Sequence, residues 1–283
     1  MDNHINQRIE YYELLGLTKE PFSMAPDPEF FCPTQTHGEC LNRMEISLRL
    51  NRGLHVVIGD IGTGKTTLSR LLLERFLKYG SNYEFFLILD PTWKDSTDFL
   101  IFLKNLFRIE TPASSQVEMM NQIEHFLLDS TFNFDKRIVL IIDEGQKMRS
   151  DQIEIIRTLL NFETNNVKLI QVVIFAQPEF KVTLKNHENF KDRIAFGFTV
   201  NPLDSESSSR FIDHRLKIAG YKEDQPLFTD KAKDLVFKHT NGYPRKIVVF
   251  CHHLIIDLLI SNEKVVNSEK VLTRMQASEQ FDV

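Results

Sequence analysis

Gly59-Asp60-Ile61-Gly62-Thr63-Gly64-Lys65-Thr66 fits the phosphate-binding pattern G-x-x-x-x-G-K-[ST], and its flanks are the ones that pattern requires. The apolar run Leu54-His55-Val56-Val57-Ile58 before it reads as a short buried strand. Thr67 to Tyr79 after it, with Leu68, Leu71, Leu72 and Phe76 at helical spacing, reads as a helix, and Gly80 as its stop. Glycines let consecutive backbone N–H groups curl around a phosphate at the positive end of that helix. Lys65 can reach the β- and γ-phosphates, and the Thr66 hydroxyl can ligate Mg²⁺. The expected cradle is Gly59, Asp60, Ile61, Gly62, Thr63, Gly64, Lys65, Thr66 and Thr67. A chance glycine-rich turn would not bring strand and helix with it. The stretch predicts binding of a nucleoside triphosphate.

Further along, Arg137-Ile138-Val139-Leu140-Ile141-Ile142-Asp143-Glu144 is a strand-like run that closes on two carboxylates. Asp143 at the carboxyl end of such a strand can hold Mg²⁺ through water, opposite Thr66. Glu144 can polarise a water in line with the γ-phosphate, work worth about 10²–10⁴ in rate. Strands ending in solvated acids are common. A phosphate loop earlier in the same chain is what turns this one into a catalytic pair.

The remaining pattern supplies a sheet around these motifs. Tyr83–Leu89, Lys168–Ala176 and Ala195–Val200 read as further strands, with helices at Thr97–Phe107, Ser115–Leu128, Asp151–Glu163 and from Pro178 between them. Strands without alternation, joined by helical crossovers, predict an α/β fold with a five-stranded parallel sheet covered on both faces. Past Asn201-Pro202 only helical patterns remain: Asp204–Ala219 with Gly220 as stop, Thr229–His239, Pro244–Ile260 and Ser268–Ala277. Thr229 and Ser268 are the expected N-caps, and Pro244 suits a first turn. Upstream, Leu41–Leu50 reads as a helix behind a segment with Pro21, Pro26, Pro28 and Pro33. Leu14, Leu15, Phe22, Phe30 and Phe31 in that segment need a core to pack on. The expected division is 1–45 as a Pro-rich segment packing on the ATPase core, 46–202 as the nucleotide-binding domain and 203–283 as an all-helical lid domain.

Composition narrows the class. The chain has 283 residues, 42% hydrophobic and 26% charged, with 34 Lys plus Arg against 39 Asp plus Glu and a net charge of −5. That balance argues against a broad nucleic-acid-binding surface. No stretch has the build of a signal peptide, and Ile247–Ile260 is interrupted by His252, His253 and Asp257, so the expected location is cytoplasmic. Cys32, Cys40 and Cys251 cannot all pair internally, which fits a reducing compartment, and neither cysteine–histidine grouping has zinc-finger spacing. The 23 phenylalanines fall at core-like spacing and read as packing.

The order of phosphate loop, Asp-Glu strand, polar residue after the next strand and helical lid resembles the AAA+ ATPases. Leu14-Leu15-Gly16-Leu17 with Pro21-Phe22 and Pro26-Asp27-Pro28 resembles the start of the general secretion pathway protein A family. Asp143-Glu144-Gly145-Gln146, Leu160-Asn161-Phe162-Glu163-Thr164, Gln177-Pro178-Glu179 and Gly242-Tyr243-Pro244-Arg245 extend that resemblance over nearly the whole chain. It implies ATP and Mg²⁺ as ligands and an oligomer as the working form. It also implies three roles: Gln177 as the sensor after the fourth strand, Arg245 as the second sensor opening a lid helix, and Arg193 as an arginine finger offered to a neighbouring subunit. Read without the resemblance, Gln177 is a cap and the two arginines are surface charges. Two departures stand out. Gly145 replaces a small alanine, and the chain stops at Val283 without the membrane segment and peptidoglycan-binding part of the secretion-type member. Direct membrane or peptidoglycan binding is therefore not expected.

The first functional expectation is an ATP-hydrolysing assembly or remodelling factor with a protein partner in an envelope or export assembly. The alternative is an ATP-dependent DNA-binding regulator, similar to transposition target-selection ATPases, that recruits a transposase. Salt-sensitive, ATP-dependent DNA binding separates the two. A phosphotransferase is a third reading, and it lacks an evident acceptor-binding insertion.

Overall fold

The computed structural model describes residues 11–25, 27–78, 82–164, 167–222 and 225–279. Pro26, Tyr79 and Gly80, used above as motif residue and helix end, lie outside the described residues. The chain divides into two compact units. One holds Gln35–Ile61 and Lys65–Asn201; the other holds Gly62–Gly64, the described residues before Gln35 and those from Pro202 on.

The first unit runs α1 (Gln35–Arg49), β1 (Leu54–Gly59), α2 (Lys65–Lys78), β2 (Tyr83–Ile88), α3 (Ser96–Leu106), α4 (Gln116–Phe132), β3 (Arg137–Ile142), α5 (Ser150–Leu159), β4 (Ile170–Ala176), α6 (Phe180–Asn186), α7 (Glu188–Lys191) and β5 (Ile194–Val200). The five strands form one parallel sheet in the order β2-β3-β4-β1-β5. Every residue of β1 and β4 is buried, and so is every residue of β3 after Arg137, as a parallel sheet with helices on both faces demands. The expectation of strands without alternation fails at the edge. In β5, Phe196 and Phe198 are half-buried while Ala195, Gly197 and Thr199 are exposed, because an edge strand keeps one open face. Register fixes where the loops emerge: Ile58 pairs with Ala176 and Ile142 with Ile174. Gly59, Asp143 and Gln177 thus leave the sheet at one end, outside the carboxyl ends of the strands, where open α/β sheets bind ligands.

Several boundaries differ from the sequence expectation. Helix α1 starts at Gln35 rather than Leu41, and its opening turns, which bury His37 and Cys40, carry too few apolar residues to show a helical period. Helix α4 runs on to Phe132. Helix α5 stops at Leu159, short of Glu163, since Glu163 instead forms an antiparallel bridge with Lys168, and β4 accordingly begins at Ile170. Strand β3 ends at Ile142, leaving Asp143 and Glu144 past the ladder.

The second unit packs α8 (Ser205–Ile218), α9 (Asp230–Thr240), α10 (Pro244–Ile260) and α11 (Ser268–Glu279). Asp204 caps α8 by accepting the Ser207 N–H at 2.7 Å, and Thr229 caps α9 by accepting that of Ala232 at 3.2 Å. Ser268, expected as a cap, is the first helical residue; Asn267 takes the capping role, accepting the Lys270 N–H at 3.0 Å. Gly242 has φ +73°, and a Cβ there would lie 1.9 Å from the Leu203 carbonyl oxygen, so only glycine fits before α10. The core gathers Phe22, Ile212, Phe228, Val236, Ile247, Cys251 and Leu254. Phe22 belongs to the Pro-rich segment, which Arg215 clamps by donating to the carbonyls of Pro21 (2.6 Å) and Ser23 (3.1 Å). Burial brings the Arg215 pKa down to about 10. Among the described residues, no helix is long and apolar enough to cross a membrane.

Candidate nucleotide-binding site

Strand β1 delivers the chain into the phosphate loop, and α2 begins at Lys65 rather than Thr67, so Lys65 and Thr66 lie in the helix's first turn. Gly62 (φ +81°) and Gly64 (φ +100°) hold backbone conformations that side chains resist; Gly64 is the motif's second required glycine, and Gly62 stands at one of its variable positions. Lys65 is buried, and its Nζ donates to the carbonyls of Gly59 (2.7 Å) and Asp60 (2.9 Å). Two of its three N–H donors are thereby used, and one remains for a phosphate oxygen. Burial lowers the Lys65 pKa, against the pull of Glu144, Asp143, Asp60 and Glu179.

The acid pair stands beside that turn. Thr66 Oγ1 donates to Asp143 Oδ2 at 2.9 Å, so the two groups expected to share Mg²⁺ already face each other. Asp143 is 4% exposed. Burial raises its pKa, opposed by hydrogen bonds from the Thr66 hydroxyl and the Glu144 N–H, the latter at 3.0 Å. A buried carboxylate next to a hydroxyl, both hard oxygen donors, is a pairing that suits Mg²⁺.

Glu144 has φ 54° and ψ 36°, a left-handed conformation that non-glycine residues adopt mainly where function or packing imposes it. Its Oε2 accepts two amide donors, Gln146 Nε2 at 2.6 Å and Gln177 Nε2 at 3.0 Å. The Gln177 backbone N–H in turn donates to Gln146 Oε1 at 2.9 Å. Gly145 departs from alanine for a steric reason, since a Cβ there would lie 2.3 Å from Ile174 Cγ2 in β4.

Lys65, Thr66, Asp143, Glu144 and Gln177 therefore come together at the carboxyl end of the sheet. Arg193 does not join them. It precedes β5 at Ile194, which pairs with Leu54 at the opposite end of β1, whereas Gly59 pairs with Val200. Arg193, one residue before Ile194, therefore lies six residue steps from the level of Gly59, about 20 Å at ~3.3 Å per residue. The Nε of Arg193 is buried and makes no hydrogen bond among the described residues. In the helical unit, Arg245 is exposed in the first turn of α10, and its backbone N–H donates to the Gly62 carbonyl at 3.2 Å. Gln146 was visible in the sequence only as part of a family motif. Nothing in its spacing signals that it would bond both Glu144 and Gln177.

A family model described as an AAA domain matches residues 48–184. General secretion pathway protein A of Aeromonas hydrophila is 29% identical over 271 residues, which cover 95% of this chain and 48% of that protein. The chain thus spans about half the length of the curated relative it matches. Among solved structures, Cdc6p from Pyrobaculum aerophilum superposes with a TM-score of 0.67 at 16% identity, covering 88% of this chain and 69% of that one. The RuvB Holliday junction branch migration motor of Thermotoga maritima gives 0.57 at 14% identity, covering 86% and 67%. At such identities these structures speak for the fold alone. Strand order and these likenesses give the chain the AAA+ P-loop fold, and in sequence it resembles general secretion pathway protein A.

Proposed function

We propose that the chain binds and hydrolyses ATP with Mg²⁺ as an oligomer, and uses the cycle to drive assembly or remodelling of a partner complex, most like secretion and pilus ATPases. The observation that carries the reading is the connected set at the end of the sheet, in which Thr66 bonds Asp143 while Gln177 bonds Glu144. In it Gly59 to Thr67 surround the phosphates and Lys65 contributes positive charge to them. Thr66 and Asp143 would hold Mg²⁺, which when bound supplies positive charge at the β- and γ-phosphate oxygens. Glu144 accepts a proton from the attacking water, and Gln177 orients that water or the γ-phosphate. Arg193 lies too far along the sheet to serve its own loop, which supports a role at a neighbouring subunit's site. Arg245 is assigned to sensing the nucleotide from the helical unit.

Lys65→Ala tests the reading at its root. The variant should lose ATP binding or hydrolysis while keeping its thermal midpoint within a few degrees of the parent, since the lysine's task is at the phosphates. Normal hydrolysis by Lys65→Ala would refute the phosphate-loop assignment.

A further inference from the structure

We propose that Gln146 is a positioning residue for Glu144, orienting its carboxylate and coupling that orientation to Gln177. The inference rests on the hydrolytic reading above. Gln146 sits in the 3₁₀ turn Gly145–Lys147, directly after the left-handed Glu144. Both ends of its amide are engaged: Nε2 donates to Glu144 Oε2 at 2.6 Å, and Oε1 accepts the Gln177 backbone N–H at 2.9 Å. The amide has one workable orientation, because reversing it would set an oxygen against a carboxylate and an NH₂ against a backbone N–H.

Two donors converge on Oε2, from Gln146 and from the Gln177 side chain. No hydrogen bond reaches Oε1 among the described residues, so that oxygen is the one left to accept a proton from water. Glu144 makes no side-chain cap bond, and a left-handed backbone at such a residue persists only when its surroundings hold it. The side chain of Gln177 cannot bond Oε2 and a γ-phosphate with the same N–H. When it turns to the nucleotide, Gln146 keeps the carboxylate aimed. It also senses the end of β4 through the Gln177 backbone, whatever the Gln177 side chain does.

The test uses Gln146→Met and Gln146→Glu in the full chain, with Gln146→Met repeated in Glu144→Gln. Affinity is read with trinitrophenyl-ATP, turnover by steady-state ATP hydrolysis and folding by thermal midpoint. Gln146→Met should lower kcat about 10- to 100-fold with affinity within about twofold, as expected for a misaimed group. Gln146→Glu keeps the acceptor for the Gln177 N–H and places a like charge beside Glu144, so it should fall at least as far. A purely structural role would leave it near the parent. In Glu144→Gln, adding Gln146→Met should cost no more, since the residue acts through the carboxylate already removed. Parental kcat in either single variant overturns the proposal. So does an undiminished effect of Gln146→Met in the Glu144→Gln background. In both cases an inactive Glu144→Gln leaves the hydrolytic reading standing. Parental turnover in Glu144→Gln itself would overturn both.

Discussion

Arg193→Ala should bind ATP normally yet hydrolyse it poorly, and the loss should be repairable by a second, differently broken subunit. Ile194 pairs with Leu54 and Gly59 with Val200, so Arg193 stands at the amino end of β5 while the phosphate loop leaves the carboxyl end of β1. The intervening strand spans about 20 Å at ~3.3 Å per residue, well beyond the reach of one side chain. If Arg193 acts on phosphate at all, it acts on another subunit's phosphate. An arginine supplied in trans is worth about 10³–10⁵ in turnover, or about 4–7 kcal/mol of barrier. The assay is hydrolysis against protein concentration, with oligomeric state followed in parallel. Parent activity should rise more than linearly, because isolated subunits have incomplete sites. Arg193→Ala alone and Lys65→Ala alone should both be nearly inactive. Mixed, they should recover activity, since an intact loop on one subunit can meet an intact Arg193 on the next. A demonstrably monomeric protein hydrolysing at full rate would refute the reasoning, as would undiminished turnover in Arg193→Ala.

Gly145→Ala should destabilise the protein by about 1–3 kcal/mol, the usual range for overpacking, because its Cβ would lie 2.3 Å from the Ile174 methyl; a denaturant midpoint equal to the parent's would contradict this. His55 gives a pH signature. It is fully buried between Ser47 Oγ (2.9 Å) and the Val172 carbonyl (3.3 Å), and burial brings its pKa down to about 4 from 6.5. Its folded form resists protonation while its unfolded form does not. Stability is therefore complete above about pH 6.5 and declines as pH falls toward 4, by about 3 kcal/mol at most. Asp143, whose pKa is raised, contributes with the opposite sign, its stability being lost as pH rises through its folded pKa. The decline between pH 7 and 4.5 should accordingly be measured as a difference from His55→Gln, and equal declines would remove His55 as its cause.

What could be read from the sequence was whatever is local and strongly patterned. The phosphate loop announces itself through a strand, two glycines and a lysine at fixed spacing. Pro244 marks the start of α10 because proline tolerates a first helical turn. The helix starting at Gln35 was harder to see, since its polar opening carries too few apolar residues to show a period. The end of α5 is not legible in the sequence, because Glu163 is claimed by a bridge to Lys168, a pairing with no local signal. The same limit applies at the site. Asp143 and Glu144 can be read off the end of a strand, but the Gln177 amide meets the Gln146 amide on Glu144 Oε2 only because β3 and β4 lie side by side. Strand order was equally invisible, and it is strand order that puts Thr66 within 2.9 Å of Asp143.

The most direct test of the account is turnover by Glu144→Gln. The substitution keeps the shape and both amide neighbours while removing the charge that accepts a proton from water. Nucleotide affinity with Mg²⁺ should stay near the parent's, and steady-state hydrolysis should fall about 10²–10⁴-fold. Parental turnover in a folded, ATP-binding Glu144→Gln would contradict the claim that this carboxylate drives hydrolysis.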